Sequence, residues 1–123
     1  MPIVGREIVA LDVDKFQEIV KSDDVVIIHL SAQWCGPCRA FTTVFREAAG
    51  NHDDVVFASL DTDSQPELGS AFNVNSIPAI AVMRGGALIF THEGSVGEAA
   101  LNDVIRQARA IEVGEVHRSV TSG

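Results

Sequence analysis

Two periodicities in the hydrophobic pattern organise this chain. The run Val25–Ser31 is apolar and mostly β-branched on both alternating faces, apart from His29. Such a run is typical of a central strand that helices cover on both sides. The residues after Cys38 instead carry apolar side chains at steps of three and four, which predicts a helix that ends at Gly50 and Asn51. The apolar face of that helix comprises Phe41, Phe45 and Ala48.

Capping patterns predict one helix near each end of the chain. Asp14 and Gln17 form an Asp-x-x-Gln cap, and the polar segment 22–24 ends the helix that follows. Its apolar face comprises Phe16, Ile19 and Val20. Ser95 and Glu98 form a capping box for the last helix. The apolar face of the last helix comprises Leu101, Val104, Ile105, Ala108 and Ile111.

Further strands follow in the middle of the chain. Val55–Leu60 is one, and Pro66 suits the first turn of a short helix after it, because its missing N–H would be unpaired there. Ile80–Met83 and Leu88–His92 flank a glycine-rich turn, which predicts an antiparallel hairpin. With a strand at the beginning, the order is β-α-β-α-β-α-β-β-α. Crossover helices imply parallel strands, to which the hairpin adds an antiparallel edge.

Length and composition fit a single domain. A chain of 123 residues is the size of one ordinary core, and 46% of its residues are hydrophobic, so it can fold without disulfides or metal. We expect one domain over residues 1–123, with a core at about 7–112 and a frayed tail at 113–123. A formal net charge of −8 is unlike a nucleic-acid-binding protein and disfavours anionic membranes. We expect a monomer that binds neither nucleic acid nor membrane.

Targeting signals and cysteine usage predict a cytoplasmic location. Residues 1–7 contain no basic region followed by the apolar core of a secretory signal. No apolar run reaches the roughly 20 residues that cross a bilayer. The two cysteines, Cys35 and Cys38, lie close together instead of being spread as in a disulfide-stapled secreted domain.

The cysteine pair lies at the junction between the central strand and the next helix. A sulfur at a helix N-terminus faces unpaired N–H groups and the positive end of the helix dipole, which favour the reactive thiolate. Positions i and i+3 stand about 5–6 Å apart at Cβ, close enough for a disulfide after a small adjustment. We therefore expect an accessible Cys35 sulfur with Cys38 one turn deeper. Gly36 leaves room for a partner backbone, Pro37 restrains the turn, and Trp34 offers a flat apolar face.

Two other roles for the cysteine pair remain open. The pair could be half of a zinc site, which needs two more ligands, usually a second closely spaced pair. The histidines show no ligand spacing, so we expect no metal; they are His29, His52, His92 and His117. The pair could also be inert core thiols, although Gly36 and Pro37 at a strand-to-helix turn speak against that interpretation.

The segment Trp34–Cys38, in this order of elements, resembles the active site of the thioredoxin family, and the likeness extends from about Ile8 to Glu112. A second matching signal is the segment Ser76–Pro78 before a strand. The resemblance implies the thioredoxin fold, an α/β domain with a central mixed five-stranded sheet flanked by four helices. It also implies a protein-disulfide reductase that donates electrons to other proteins by dithiol–disulfide exchange.

The resemblance further assigns roles to single residues. Cys35 is the nucleophile that attacks a target disulfide, and Cys38 resolves the mixed disulfide; the pair is the redox-active group, with no bound cofactor. Recycling falls to an NADPH-dependent thioredoxin reductase. Pro78 follows a cis bond and the Ile77 backbone pairs with an incoming peptide, unless Pro78 is an ordinary trans proline. The implied substrate-binding residues are Trp34, Gly36, Pro37, Ile77, Pro78 and Gly94.

Three residues near the implied site depart from the family pattern. His29 stands where most of the family has a buried aspartate, and Ser59 replaces the lysine that accompanies it. The two changes look like one, because a buried lysine without its carboxylate is costly. We interpret His29, neutral through burial, as the proton acceptor for Cys38; the alternative is a hydrogen bond within the core. Glu93, beside Gly94, places a negative charge where an apolar residue is usual.

Two alternatives to a reducing enzyme remain. A binding module of the same fold would hold polypeptides, as a chaperone or assembly subunit, through Trp34, Ile77 and Pro78 without redox turnover. A strongly oxidising variant is the second alternative. Gly and Pro between the cysteines favour a reducing protein, whereas His29 and Ser59 leave the reduction potential open.

Overall fold

The computed structural model describes residues 8–22 and 24–111, so the expected tail at 113–123 lies outside the described residues. Strands and helices follow one another closely in this part of the chain. In order they are β1 (Ile8–Ala10), α1 (Val13–Ile19), β2 (Val25–Ser31), α2 (Gly36–Asn51), β3 (Val55–Asp61), α3 (Pro66–Ala71), β4 (Ala79–Arg84), β5 (Ala87–Glu93) and α4 (Glu98–Ala110). No helix of the described ranges combines the length and the hydrophobicity needed to cross a membrane.

The strands form one five-stranded sheet in the order β1-β3-β2-β4-β5. β1 and β2 both pair with β3 in parallel, whereas β4 runs antiparallel to β2 and β5 antiparallel to β4. The predicted central strand and the mixed sheet are confirmed. The turn between β4 and β5 places Gly85 and Gly86 at positive φ (61° and 81°), as the hairpin pattern predicted.

The antiparallel direction of β4 corrects the expectation that each crossover helix returns a parallel strand. α3 has 6 residues and is about 9 Å long, while a strand of 7 residues such as β3 extends about 23 Å. A helix this short does not carry the chain back along the sheet. β4 therefore begins at the same end of the sheet at which β3 stops, and this is the end that carries the cysteines.

Two apolar cores lie on opposite faces of the sheet. One core is shared with α2 and α4, and its largest buried side chains include Phe41, Phe45, Phe57, Leu101 and Ile105. The other faces α1 and α3 and includes Leu11, Ile28, Leu60, Leu68 and Phe72. β2 contributes to both cores, because its successive side chains point to opposite faces. This double burial explains why β2 reads as an almost continuous apolar run.

Both predicted helix caps are wrong, although the helices are present. α1 is capped by Asp12, whose carboxylate accepts the Lys15 N–H at 2.7 Å, because Asp12 and not Asp14 has the extended backbone of an N-cap. α4 has Gly97 as its N-cap and no side-chain cap. The carboxylate of Glu98 instead accepts a hydrogen bond from the Asn51 amide at 3.4 Å.

Candidate active site

The start of α2 holds the cysteine pair. Cys35 is the N-cap, with an extended backbone (φ −90°, ψ 108°), and Pro37 lies in the first turn. The Cys38 N–H donates a hydrogen bond to Cys35 Sγ at 3.2 Å. This amide belongs to the helix start, where N–H groups have no partner within the helix. The structure thus confirms that the first sulfur lies against a helix N-terminus.

Cys35 and Cys38 form a disulfide, with their Cα atoms 5.2 Å apart. The molecule is therefore in its oxidised state. Cys35 is 4% exposed and Cys38 is 2% exposed. The prediction of an accessible Cys35 sulfur is wrong for this oxidised form, in which both cysteines are buried.

Trp34, the residue directly before Cys35, is 68% exposed. Its indole Nε1–H donates to Asp63 Oδ2 at 2.8 Å, which fixes the ring against the loop after β3. Asp61 Oδ1 accepts the Asp63 N–H at 2.9 Å and so holds that loop in turn. This role of Asp63 was not predicted from the sequence. The only local signal was a polar run of turn-forming residues directly after a buried strand.

A groove of about 570 Å³ runs beside Trp34 towards the loop that precedes β4. Its lining joins the active-site loop to α3 and to the segment before Pro78. The lining residues are Trp34, Thr62, Pro66, Gly69, Ser70, Val74, Asn75, Ser76 and Ile77. Two of the predicted substrate-binding residues, Trp34 and Ile77, thus lie on one groove.

The peptide bond between Ile77 and Pro78 is cis, which excludes the alternative of a trans proline. Pro78 C=O accepts the Gly94 N–H at 2.7 Å. Gly94 has φ 101°, a left-handed conformation that glycine adopts without strain. A Cβ atom there would have only His92 Nε2, at 3.9 Å, within 4 Å, so the surface beside Gly94 is open.

Glu93 is tied into the loop that precedes the cis proline. Its Oε2 accepts the Asn75 N–H at 2.7 Å, and its Oε1 accepts the Ser76 hydroxyl at 3.2 Å. From the sequence, this carboxylate was expected only as a negative charge where an apolar residue is usual. The hydrogen bonds were not foreseen, because they join residues that are far apart in the chain and meet only when β5 lies beside β4.

His29 lies in β2 and packs between two phenylalanines of α2. Its ring centroid is 4.9 Å from that of Phe41 and 5.4 Å from that of Phe45. The residue is 2% exposed, and its Nε2 has no hydrogen-bond partner among the described residues. Burial lowers the pKa of His29 from 6.5 to about 4, so the ring is neutral near pH 7. Ser59 is its register partner on β3, which places the two departures from the family pattern side by side.

The other histidines that the structure describes lie elsewhere. His52 is the C-cap of α2, and His92 lies in β5. His117 lies outside the described residues. In residues 8–22 and 24–111, no three His, Cys, Asp or Glu side chains are grouped as ligands for a metal ion.

A disulfide across the first turn of a helix, in a mixed α/β sheet with a cis proline directly before β4, defines the class of dithiol–disulfide exchange proteins. The family model "Thioredoxin" matches residues 7–107. The chain is 41% identical over 112 residues to putative thioredoxin 2 of Streptomyces coelicolor, covering 91% of this chain and 84% of that protein. It is 34% identical over 98 residues to a bifunctional thioredoxin reductase/thioredoxin of Mycobacterium leprae, covering 79% of this chain and 21% of that protein.

A solved structure supports the same assignment. A mutant thioredoxin from Halobacterium salinarum superposes with a TM-score of 0.81 at 26% identity, covering 88% of this chain and 96% of that one. The chain belongs to the thioredoxin family. It is a thioredoxin-like protein-disulfide oxidoreductase, and members of this family work with a redox-active disulfide instead of a bound cofactor.

Proposed function

We propose that Cys35 is the nucleophile and Cys38 the resolving cysteine of a reducing thioredoxin. The observation that carries this assignment is the hydrogen bond from the Cys38 N–H to Cys35 Sγ. In the reduced protein the same amide and the helix dipole stabilise a thiolate at Cys35. Cys38 lies within the first turn of the helix, whereas Cys35 is its N-cap, so Cys38 is suited to attack Cys35 and not an external target.

The reaction then has two exchange steps. The Cys35 thiolate attacks one sulfur of a target disulfide, which forms a mixed disulfide and releases the other target sulfur as a thiolate. Cys38 loses its proton and attacks Cys35, which forms the intramolecular disulfide and releases the second target thiol. Two electrons pass from the cysteine pair to the target. The structure corresponds to the oxidised product of this sequence.

The target peptide docks on the backbone of Ile77. Among the described residues, no hydrogen bond involves the N–H or C=O of Ile77, which leaves both groups available to an added strand. The open surface at Gly94 admits the peptide backbone on one side. The remaining contacts of the peptide are with Trp34, Gly36, Pro37 and Pro78.

His29 accepts the proton of Cys38 in the resolving step, directly or through a water molecule. A neutral ring and an unpartnered Nε2 support this role, because a base must be deprotonated and the Nε2 lone pair is free in the tautomer that carries its proton on Nδ1. Nε2 has no hydrogen-bond partner among the described residues, which speaks against the alternative that His29 only forms a hydrogen bond within the core. The ring lies against Phe41, one turn along α2 from Cys38.

Disulfide-containing proteins are the targets, and an NADPH-dependent thioredoxin reductase returns the pair to the dithiol state. The relative from Mycobacterium leprae, whose name joins a thioredoxin reductase to a thioredoxin, supports this kind of partner. We place the protein in the cytoplasm as a monomer with a single domain over residues 1–123. Its acidic net charge of −8 favours solubility and disfavours polyanionic partners.

Trapping the mixed disulfide tests the proposed roles. We expect the wild-type protein to reduce insulin in the presence of a chemical reductant. The Cys38→Ser variant stays covalently joined to its target, because nothing resolves the mixed disulfide, whereas Cys35→Ser forms no adduct. The products are separated by non-reducing electrophoresis and identified by mass.

Insulin reduction that persists in Cys38→Ser, without an adduct, would contradict the proposal. Binding of unfolded polypeptides by all variants without any reduction would favour the binding module instead. Titration of the wild-type pair against a glutathione buffer separates the reducing protein from the oxidising variant, and we expect the pair to be the stronger reductant.

A further inference from the structure

We infer that Glu93 is a positioning residue that sets the affinity of the protein for target peptides by holding the loop on which they dock. This inference rests on the proposed docking of the peptide at Ile77. It concerns a carboxylate that the chemistry of the cysteines does not use.

Glu93 and Gly94 fasten the chain on both sides of Ile77. Glu93 accepts hydrogen bonds from the Asn75 N–H and the Ser76 hydroxyl, just before Ile77. The Gly94 N–H donates to the carbonyl of Pro78, just after it. The two consecutive residues at the end of β5 therefore define where the free backbone of Ile77 lies.

The geometry of the sheet makes this arrangement rigid on the β5 side. Glu93 is the register partner of Ala79, the first residue of β4, so its backbone position is fixed by the ladder. From there the side chain reaches across to the loop that precedes β4. The shorter of its two bonds, 2.7 Å to the Asn75 N–H, joins a carboxylate to a backbone amide, the charge-assisted type that is stronger than a neutral bond.

The same two bonds position one wall of the groove beside Trp34. Asn75, Ser76 and Ile77 are part of its lining. The segment 75–78 lies between α3 and β4, outside the helices and strands, so it has no ladder or helix of its own to define its position. Without the Glu93 bonds the segment gains conformational freedom, and an arriving peptide has to order it again.

Replacing Glu93 tests the inference through the affinity for a peptide disulfide. We expect Glu93→Ala to raise the KM roughly fivefold with kcat retained, since it removes two solvent-accessible hydrogen bonds that act on docking and not on the sulfurs. Glu93→Gln restores the KM to within about twofold, because its amide oxygen can accept from Asn75 and its NH₂ can donate to the Ser76 hydroxyl. Glu67→Gln, which removes an exposed carboxylate from α3, is the control for charge alone and keeps the wild-type KM.

Equal KM values in Glu93→Ala and wild type would overturn the inference. It would also be overturned if KM rose in Glu93→Gln and Glu67→Gln as much as in Glu93→Ala. Amide exchange at Asn75 supplies a readout of the contact itself, and we expect it to accelerate in Glu93→Ala only. Binding of a cysteine-free peptide, followed by Trp34 fluorescence, needs no turnover. A failure of the redox proposal is therefore distinguishable from a failure of the role of Glu93.

Discussion

His29 and His52 lie against the same helix, α2, in opposite surroundings. His52 uses both ring nitrogens: Nε2 lies 2.8 Å from Asn102 Oδ1, and Nδ1 lies 3.0 Å from a terminal nitrogen of Arg109. Because a guanidinium only donates, Nδ1 accepts from Arg109, and Nε2–H donates to Asn102. His29 is fully enclosed, and its Nε2 has no partner among the described residues.

This difference in hydrogen bonding separates a histidine that stabilises the fold from the histidine that we propose as a proton acceptor. His52, at the end of α2, joins that helix to Asn102 and Arg109 of α4, and so its hydrogen-bonding capacity stabilises the fold. A buried polar atom without a partner instead costs about 1–3 kcal/mol. His29 carries that cost beside the helix that bears the disulfide, where it accepts the proton of Cys38 in the proposed resolving step. Substitutions at His29, His52 and Arg109 test this contrast.

Acid should destabilise the protein mainly through His29. Its pKa is about 4 when folded against 6.5 when unfolded, so only the unfolded state takes up the proton as the pH falls below 6.5. The contribution of neutral His29 to the free energy of unfolding is complete above pH 6.5 and is lost progressively down to pH 4. The total loss is about 3 kcal/mol, at 1.36 kcal/mol per pKa unit. Urea unfolding of wild type and His29→Leu between these pH values measures the difference.

His52→Gln is the matched control for acid stability, because glutamine can keep the contact with Asn102. We expect acid to lower the free energy of unfolding of His52→Gln as much as that of wild type. The decrease should be smaller in His29→Leu. Parallel stability curves for wild type and His29→Leu would mean that burial of His29 has no such effect.

The resolving step should slow about 100-fold in His29→Leu, since a positioned general base contributes at least that factor in many enzymes. The difference in rate between wild type and His29→Leu persists around neutral pH, because His29 stays deprotonated above about pH 4. It becomes smaller at alkaline pH, where hydroxide removes the proton of Cys38. Release of a labelled peptide from a preformed mixed disulfide with Cys35 measures this rate.

The first exchange step supplies the internal control for this variant. Attack of Cys35 on the same peptide disulfide does not involve His29, and its rate should change little. Identical pH profiles for peptide release in the two proteins would remove His29 from the mechanism.

At the other end of α2, we expect Arg109→Met to lower the free energy of unfolding by about 1 kcal/mol. The loss is small because the bonds of Arg109 to His52 and Asp54 are solvent-accessible. The Arg109 guanidinium lowers the pKa of the Asp54 carboxyl from 3.8, so the contribution is present above pH 3.8 and is lost as the pH falls through the folded value. Urea unfolding at pH 7 and pH 3 tests this. The control is Arg106→Met, which breaks a pair with Asp103 within one helix and is expected to lower the free energy of unfolding by less. Equal losses in the two variants would mean that the contacts of Arg109 between elements add no stability.

The active-site end of the molecule was only partly readable in advance. The start of α2 followed from Gly36 and Pro37 after a buried run, and the cis bond at Pro78 and the open surface at Gly94 followed from the family resemblance. The contacts of Trp34 with Asp63 and of Glu93 with Asn75 did not. They join different elements, and no local pattern shows which loop a side chain will meet.

Local patterns in the sequence predicted β2, the helix that begins behind Cys35, the glycine turn before β5 and the burial of His29, because each depends on periodicity or turn chemistry within a few residues. The remaining features depend on contacts between distant parts of the chain. A short α3 kept the chain at one end of the sheet and so made β4 antiparallel. Packing between Phe41 and Phe45 left His29 Nε2 without a partner, since a side chain's hydrogen bonds depend on neighbours that folding brings from distant parts of the chain.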